Sequence, residues 1–372
     1  MMNTCQQLAI LGVPIDNASM DEAVEILDGY IQQRGFHQVA TANVNFLMNA
    51  IKDGELLEIL QSCSLVLPDG MPVVWASRLM GVPLKERVAG YHLVPRLVRL
   101  AAERNYGIFL LGADEKCSAG AAAWIERNHP EARMAGRYSP PFGPIETMNH
   151  DEILQRIDRA KPDILLVAFG NPKQEKWLAM HRRRLEVPVA IGVGGSLNLL
   201  AGQVKYTPRW MQDHGIEAIY RVWQEPGRLG GRYLADLCGA LRYLTAQVVA
   251  ANVQSRSGGP QRLSYIWREG VLVIKPEGRF MGALVQEFET LIKNLEAEKH
   301  PVMLDMSRTK SLGPDALAAM LGLNSAQRAA CRGVSLTEVS LPVRLVLATS
   351  RLHGHFQIVP AIRCAENCEP YT

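Results

Sequence analysis

The residues of this chain that could do chemistry follow directly after apolar runs. Asp69 stands in Leu67-Pro-Asp-Gly70, and Thr41 and Asn43 follow another apolar run. An aspartate before glycine is often a turn former. At the end of a strand it could also be a general base that takes a proton from a hydroxyl nucleophile. Thr41 and Asn43 could line the same pocket, or could be a strand end and a helix cap.

A second motif, Gly170-Asn-Pro-Lys-Gln-Glu175, ends one apolar run and opens a helix at Pro172. The first backbone N–H groups of a helix have no partner within it, so they would face a crevice at the end of the strand. Gln174 and Glu175 could recognise a base or a sugar by hydrogen bonds. A carboxylate near a helix start is also favourable without any ligand, so both interpretations stay open for Glu175.

A third motif combines glycines with arginines. Gly192, Gly194 and Gly195 follow an apolar strand, and Leu197 occupies the last position of the dinucleotide pattern Gly-x-Gly-x-x-Gly, so that fingerprint is absent. The chain has neither a P-loop nor an Asp-x-Asp motif, so we expect no metal site. Guanidinium groups suit phosphate oxygens, although arginines on a surface are usually only solvated. The candidate arginines are Arg221, Arg228 and Arg232.

The elements that must position these residues alternate between strand and helix. Repeated strand–turn–helix units predict an α/β fold with a mostly parallel, Rossmann-like sheet that is covered on both faces. Ligands gather at the carboxyl ends of the strands in such sheets, where Thr41, Asp69, Gly112, Gly170 and Gly194 are expected. The predicted strands are Gln38 to Ala42, Ser64 to Leu67, Tyr106 to Gly112, Asp163 to Ala168 and Val187 to Val193, and Leu8 to Val13 is a short apolar run that leads into a helix.

Composition limits the classes of function. The 372 residues are 48% hydrophobic, which is enough for two domains, and the net charge of +3 does not indicate a nucleic-acid partner. The seven cysteines form no Cys-x-x-Cys pair and predict reduced thiols in a cytoplasmic protein. No uncharged apolar run reaches the roughly 20 residues of a membrane span. We therefore expect a protein that is soluble or lies on a membrane surface.

The chain divides into two predicted domains. Residues 1–247 form the first, with a carboxyl-terminal appendage at about 203–247. Residues 248–262 are a small, polar linker, and 263–372 form a smaller α/β domain. In the appendage, aromatic residues alternate with arginines and lysines, a mixture that suits a bilayer interface but also an ordinary pair of packed helices.

The joint order of these motifs across residues 8–245 resembles the bacterial WecG/TagA/CpsF glycosyltransferases, family 26. The matching fragments are Leu11-Gly-Val-Pro-Ile-Asp16, Thr41-Ala-Asn43, Pro68-Asp-Gly70, Arg87-Val-Ala-Gly90, Phe109-Leu-Leu-Gly112, Gly170-Asn-Pro-Lys-Gln-Glu175, Gly192-Val-Gly-Gly195, Ala201-Gly202, Tyr220-Arg221 and Glu225-Pro-Gly-Arg228.

The resemblance implies an inverting transfer of a sugar from a UDP-sugar to a polyprenyl-diphosphate-linked saccharide. It implies a peripheral location on the inner face of the cytoplasmic membrane and neither metal nor cofactor. It assigns Asp69 as the catalytic base, with Thr41 and Asn43 beside it. Donor contacts are implied for Gly112, Gln174, Glu175, Gly194, Gly195, Asn198 and, on the diphosphate, Arg221, Arg228 and Arg232.

The sequence departs from the family pattern where Leu197-Asn198 replaces Phe-Asp, and Asn198 loses the charge of the aspartate expected at the ribose. This departure motivates an alternative, a catalytically inactive protein that binds a sugar nucleotide and signals through its second domain. A nicotinamide oxidoreductase is disfavoured because the fingerprint glycines are missing.

The segment from about 263 to 360 resembles a STAS domain through Val302-Met-Leu-Asp-Met-Ser307 and Ser311-Leu-Gly-Pro-Asp-Ala-Leu317. That likeness implies binding of a protein partner or self-association. The run Gly313-Pro-Asp-Ala316 lacks a hydroxyl, so we expect no serine phosphorylation there.

Overall fold

The computed structural model describes residues 5–204, 207–208, 210–211, 217, 220, 223, 226–255, 261–330, 332–360 and 369–370, with the backbone alone at 226–230, 232–235, 253–255 and 369–370. Its contacts divide the chain into two compact units. The first comprises Met1–Cys5, Asp16–Val74 and Lys85–Asp236, and the second comprises Gln6–Ile15, Trp75–Leu84 and Leu237–Thr372. The predicted domain bounds 1–247, 248–262 and 263–372 stay predictions.

Strands and helices alternate through most of the described chain. The strands are β1 (Gln7–Ile10), β2 (Val13–Asp16), β3 (His37–Ala42), β4 (Leu65–Pro68), β5 (Gly107–Gly112), β6 (Arg133–Tyr138), β7 (Ile164–Ala168), β8 (Val189–Gly192), β9 (Arg262–Arg268), β10 (Val271–Phe280), β11 (Val302–Asp305), β12 (Thr309–Leu312), β13 (Ser335–Thr337), β14 (Gln357–Val359) and β15 (Glu369–Pro370). The helices are α1 (Met20–Gln33), α2 (Val44–Lys52), α3 (Gly54–Ser62), α4 (Met71–Leu79), α5 (Gly90–Arg104), α6 (Glu115–Asn128), α7 (His150–Ala160), α8 (Lys173–His181), α9 (Ser196–Leu200), α10 (Pro226–Ser255), α11 (Ala283–Asn294), α12 (Pro314–Ala329) and α13 (Leu341–Thr349). Short 3-10 helices lie at Ile145–Thr147 and Ala297–Lys299.

The first unit is built on a parallel sheet in the order β4-β3-β8-β7-β5-β6. Every neighbouring pair in this sheet is parallel. The central strands are continuous apolar runs because both of their faces are buried against helices. This confirms the predicted α/β class and the mostly parallel sheet. Strand β6, which escaped prediction, is a half-exposed edge strand.

Helix α1 begins where its sequence indicates. The Ser19 side chain accepts from the Glu22 N–H, and the Glu22 carboxylate accepts from the Ser19 N–H, which completes a capping box. Ala23, Leu27 and Ile31 form its buried stripe. The helix therefore covers the sheet with the face that its period of 3.6 residues predicts.

The amino-terminal apolar run from Leu8 to Val13 contains the turn of a hairpin, which its apolar pattern does not indicate. Strands β1 and β2 pair as a separate two-stranded sheet. The turn between them lies at Leu11 and Gly12, with φ of 50° and 83°. A positive φ is unusual for leucine, and this run lacks the Asn-Gly pair that is typical of a tight hairpin turn. The residue types therefore do not indicate a turn here.

The second unit has its own sheet, in the order β14-β13-β11-β10-β9-β15, with β12 also paired to β10. The hairpin β9–β10 around Glu269-Gly270, the strand β11 and the helices α11 and α12 give this unit the mixture of strands and helices predicted for 263–372. Its apolar core includes Ala9 of β1 and Ala250 of α10 beside residues of α11 and α12. Membership of the STAS class stays a prediction.

Gln247 joins helix α10 to the hairpin β1–β2 within the second unit. Its Nε2 donates to the Ala9 carbonyl (2.9 Å) and to Ser350 Oγ (3.1 Å), and its Oε1 accepts from the Leu11 N–H (3.0 Å). The residue is only 3% exposed. Helix α10 also extends to Ser255, so residues 248–255 of the predicted linker are helical, in keeping with the helix-forming alanines and glutamine there.

Replacing Gln247 by leucine should lower the free energy of unfolding by about 3 kcal/mol, because the Leu11 N–H and the Ala9 carbonyl would lose a buried partner. Urea unfolding followed by circular dichroism measures this loss. Asn252→Ala on the same helix is the control, since the Asn252 amide is exposed, and it should cost less than about 1 kcal/mol. Equal losses for the two variants would contradict the proposed importance of Gln247.

Candidate active site

Asp69 and Thr41 lie on neighbouring strands at the carboxyl edge of the first unit's sheet. Thr41 pairs with Leu67 in the parallel register of β3 and β4. The Asp69 N–H donates to the Ala42 carbonyl (2.9 Å), which fixes the aspartate directly beyond β4. The sequence prediction that both residues share one edge of the sheet agrees with this arrangement.

The start of helix α5 completes this corner of the crevice. A β-carbon built on Gly90, the first residue of α5, would lie 3.3 Å from Thr41 Oγ1 and 3.3 Å from Ser196 Oγ. Gly90 therefore lets two hydroxyl groups from different strand–helix connections approach the same helix start. This close approach brings the end of β3 and the glycine-rich loop after β8 together.

Asn43 has a structural role at the start of helix α2. Its Oδ1 accepts from the N–H groups of Asn45 (3.0 Å) and Phe46 (3.2 Å), as the N-cap of that helix. This is the helix-cap alternative that the sequence left open. A place for Asn43 in the catalytic pocket stays a prediction.

Gln174 and Glu175 lie in the first turn of α8 and are almost completely buried, at 2% and 1% exposure. Gln174 Oε1 accepts from the Gly170 N–H (3.0 Å) and from the Gly194 N–H (3.2 Å). The amide thus ties the loop after β7 to the loop after β8. Its Nε2 donates to Glu175 Oε1 (2.8 Å), so the two side chains act together.

Gly192 makes room for this pair. A β-carbon there would lie 2.4 Å from Gln174 Nε2 and 2.7 Å from Glu175 Oε1, so a larger residue would displace both side chains. The second Glu175 oxygen accepts from Asn171 Nδ2 (2.9 Å). Burial raises the pKa of Glu175 to about 7, and the hydrogen bonds from Gln174 and Asn171 limit the rise. Contacts of Gln174 and Glu175 with a nucleotide stay a prediction.

Arg87, Tyr91 and Glu217 form a cluster beside Asp69. Arg87 Nη1 pairs with Glu217 Oε1, and its Nη2 donates to the Tyr91 hydroxyl (2.7 Å). That hydroxyl donates to Glu217 Oε1 (2.6 Å). Burial and the bond to Glu217 raise the pKa of Tyr91, and the charge of Asp69 adds to the rise. Glu217, which belongs to the segment predicted as an appendage, thus pairs with residues near Asp69.

Asn198, in helix α9, faces a cysteine. The Cys117 thiol donates to Asn198 Oδ1 over 2.9 Å. Burial, followed by the charge of Asp114, raises the pKa of Cys117 to about 11, so the thiol keeps its proton at neutral pH. Asn198 Oδ1 therefore already accepts a hydrogen bond from within the protein. The predicted contact of Asn198 with a nucleotide is not tested by this arrangement.

The remaining predicted residues differ in what surrounds them. A β-carbon at Gly112 would lie 2.7 Å from the Phe169 ring, so tight packing explains this glycine. A β-carbon at Gly195 would have no atom within 4 Å. Gly195 is also exposed. Arg221 lies outside the described residues, and Arg228 and Arg232 are described only as backbone of helix α10. Their predicted contacts with a diphosphate stay predictions.

The described part of the chain contains no group of three or more histidine, cysteine, aspartate or glutamate residues placed to hold a metal ion. Nor does a helix there combine the length and the hydropathy that crossing a bilayer requires.

Comparison with known proteins identifies the family. The model of the glycosyl transferase WecG/TagA/CpsF family matches residues 8–254. The chain belongs to this family. The matched segment contains the carboxyl edge of the parallel sheet, with Thr41, Asp69, Gly90, Gln174 and Ser196.

Two relatives carry the name N-acetylglucosaminyldiphosphoundecaprenol N-acetyl-beta-D-mannosaminyltransferase. The one from Bacillus subtilis (strain 168) is 34% identical over 224 residues, which are 60% of this chain and 86% of the relative. The one from Staphylococcus aureus (strain MRSA252) is 32% identical over 225 residues, 59% of this chain and 87% of the relative. Both names are those of glycosyltransferases, and the prediction that the chain is a transferase is confirmed.

Three groups near the predicted residues were not singled out as candidates by the sequence. Ser196 and Gly90 approach Thr41, and Glu217 pairs with Arg87. The fragment Arg87-Val-Ala-Gly90 was visible as a matching motif, but its spacing does not show that a helix begins there next to Thr41. Glu217-Ala218 stands where the family has Glu-Trp, but the sequence does not show that Glu217 pairs with Arg87, which lies 130 residues away.

The stability of the protein should depend on pH through Glu175. Its pKa is 4.5 in an unfolded chain and about 7 in the folded one, so between these values the folded state holds a proton that the unfolded state has lost. Stability should therefore fall as the pH rises from about 4.5 to 7, by up to about 3 kcal/mol.

Urea midpoints measured from pH 5 to pH 8 test this dependence. In Glu175→Gln the free energy of unfolding should no longer fall with rising pH. It should instead be lower by the same amount at every pH, because the new amide N–H₂ would face one of the donors Gln174 and Asn171. Asp158→Asn, on an exposed position of α7, is the control and should keep the slope of the parent. An unchanged slope in Glu175→Gln would show that Glu175 is not the titrating group.

Proposed function

We propose that this protein transfers a sugar, with inversion, from a UDP-sugar to a polyprenyl-diphosphate-linked saccharide in the synthesis of a cell-surface or exported polysaccharide. The relatives' names specify N-acetylmannosamine as the sugar and an undecaprenyl-diphosphate-linked N-acetylglucosamine as the acceptor. By analogy we propose an N-acetylhexosamine donor and a lipid-linked acceptor for this chain.

The position of Asp69 is the observation that supports the proposal most strongly. The aspartate follows β4 at the carboxyl edge of a parallel sheet, where ligands gather, and its N–H donates to Ala42 on the neighbouring β3, the strand that carries Thr41. It lies inside the segment that matches the family. The Arg87–Glu217–Tyr91 cluster lies close enough for the charge of Asp69 to act on Arg87 and Tyr91. A base of this kind must share the crevice with both substrates.

In the proposed reaction, Asp69 takes the proton of the acceptor hydroxyl, and the hydroxyl oxygen forms a bond to the anomeric carbon of the donor. The bond between that carbon and the β-phosphate oxygen breaks, and UDP leaves with the electron pair. Attack from the face opposite to the leaving group inverts the anomeric centre. We propose that Arg221, Arg228 and Arg232 balance the charge of the departing diphosphate without a metal ion.

Asp69→Asn should reduce sugar transfer at least about 100-fold, because general-base catalysis contributes roughly 10²–10⁴ in rate. Release of UDP from a panel of UDP-sugars, with a short-chain lipid-diphosphate N-acetylglucosamine as acceptor, measures the transfer. The affinity for UDP should stay close to that of the parent, since the substitution leaves the binding groups in place.

Asp158→Asn serves again as the matched control and should transfer sugar at the parent's rate. Turnover of Asp69→Asn at the rate of the parent would remove Asp69 as the base. A parent chain that releases no UDP with any donor would contradict the proposed transfer itself and favour the inactive binding protein.

We also propose that the protein lies on the cytoplasmic face of the membrane, where a polyprenyl-linked acceptor resides. Helix α10 carries an exposed apolar stripe at positions spaced by multiples of four, Leu237, Leu241 and Val249, which are 54%, 58% and 59% exposed. At about 100° per residue, the three side chains fall within an arc of roughly 120° around the helix and form one broad face. An exposed apolar face with basic residues nearby, such as Arg242, suits the interface of a bilayer.

Leu241→Glu should weaken binding to vesicles that contain anionic phospholipid about tenfold, because the stripe would lose apolar area and gain a negative charge. Co-sedimentation with the vesicles measures the bound fraction. Leu345→Glu is the control, because Leu345 is a similarly exposed leucine on α13. Equal binding of the two variants would contradict a membrane role for the stripe.

A further inference from the structure

Strand β10 carries three charged side chains on one face of the second unit's sheet. Lys275, Glu277 and Arg279 are spaced by two residues, and side chains at this spacing point to the same side of a strand. Lys275 Nζ pairs with Asp305 Oδ2 over 3.2 Å, and Glu277 Oε1 pairs with Arg308 Nη1 over 2.9 Å. Two of the three charges are therefore balanced by residues at or just beyond the end of β11.

Arg279 is the exception in this row. Among the residues that the structure describes, no carboxylate forms an ion pair with its guanidinium group. Its Nη2 donates to Met281 Sδ over 3.2 Å, and a thioether sulfur is only a weak acceptor. Its Nε is buried and has no hydrogen-bond partner in the described part of the chain. A buried N–H of a charged group is unfavourable without an acceptor, so this guanidinium group indicates a negatively charged ligand.

The register neighbour of Arg279 is a serine with a buried hydroxyl. Arg279 pairs with Ser311 in the parallel ladder of β10 and β12, and Phe280 pairs with Leu312. Because Phe280 and Leu312 belong to the apolar core, Arg279 and Ser311 lie on the opposite face, on strands about 4.8 Å apart. Ser311 is only 3% exposed, and its Oγ has no hydrogen-bond partner within the described ranges. Two buried groups that lack a partner thus lie side by side.

The start of helix α12, two residues beyond β12, already has a negative charge of its own. Asp315 Oδ2 accepts from the Gly282 N–H (2.7 Å), and its Oδ1 accepts from the Ala316 N–H (3.0 Å). A carboxylate in the first turn offsets the partial positive charge of a helix start. An incoming anion is therefore favoured at Arg279 and Ser311 and not at the end of the helix.

We propose that Arg279 and Ser311 form a binding site for a phosphate group in the second unit. The Nε and Nη2 groups are adjacent donors of one planar guanidinium group, and such a pair matches two oxygen atoms of a phosphate. The Ser311 hydroxyl donates to a third oxygen, and Met281 Sδ gives up its place on Nη2. Arg279 is only half-buried, so a small ligand can reach it.

The ligand is a small phosphate compound. A free phosphate ion and the phosphate ester of a small metabolite both offer three oxygen atoms to these donors. The inference is independent of the proposed sugar transfer, because it uses only residues of the second unit's sheet. It gives that unit a ligand in addition to the protein partner that its sequence implies.

Titration of the full-length chain with inorganic phosphate and with phenyl phosphate, at constant ionic strength, tests the site. The rise of the melting temperature with phosphate concentration measures the affinity. Arg279→Lys and Ser311→Ala should each weaken binding about tenfold, since each removes a hydrogen bond to a charged group. NMR of the isotope-labelled chain follows the arginine Nε–H resonances. The resonance that is missing in Arg279→Lys should shift and saturate with phosphate in the parent.

Arg308→Lys is the matched control, because Arg308 is an exposed arginine near the same strand that already pairs with Glu277. Its affinity for phosphate should equal that of the parent. Without any ligand, Ser311→Ala should melt no lower than the parent, because it removes a buried hydroxyl that lacks a partner. This measurement also shows that the variant is folded.

Four results would overturn the site. A parent that binds neither phosphate compound would remove it, and so would unchanged affinity in both Arg279→Lys and Ser311→Ala. An equal loss in Arg308→Lys would mean that binding reflects only the positive charge of the surface. A lower melting temperature of ligand-free Ser311→Ala would show that the hydroxyl serves the fold and not a ligand. Tighter binding of phenyl phosphate would support an esterified ligand, and tighter binding of inorganic phosphate would support the free ion.

Discussion

The geometry of the crevice depends on one buried amide. Gln174 accepts from the N–H groups of Gly170 and Gly194, and so it holds the loops after two neighbouring strands at a fixed separation. Glu175 Oε1 accepts a hydrogen bond from the nitrogen of this amide, and the absence of a side chain at Gly192 leaves room for both side chains. A buried network of this kind is strong only when every polar group in it has a partner. The arrangement explains why a glutamine and a glutamate stand next to each other in the first turn of α8.

The fold could be predicted largely from the sequence because the central strands are continuous apolar runs. β3, β5, β7 and β8 all lie where such runs lie. The edge strand β6 and the hairpin β1–β2 could not. An edge strand exposes alternate residues and so loses its apolar signal, and a turn with leucine at positive φ contradicts local preference.

The candidate site could be predicted only as far as strand order allows. Parallel strands end at one edge, so Thr41, Asp69 and Gly194 were expected together. Side-chain partners depend on rotamers and on contacts between residues that are far apart in the sequence. Cys117 and Asn198 are separated by 81 residues, and Arg87 and Glu217 by 130. A local sequence pattern contains no information about such contacts. For the same reason the sequence could not show that Gln174 and Glu175 face inwards.

The assignment of the hairpin β1–β2 to the second unit affects how the protein is made. Residues 7–15 leave the ribosome long before residues 237–372, which make up most of the second unit and include the residues of α10, α11 and α12 that share a core with Ala9. At bacterial elongation rates of about 5–20 residues per second, the nascent hairpin waits on the order of tens of seconds for them. During translation the cell must therefore shield an apolar segment that the finished protein conceals completely.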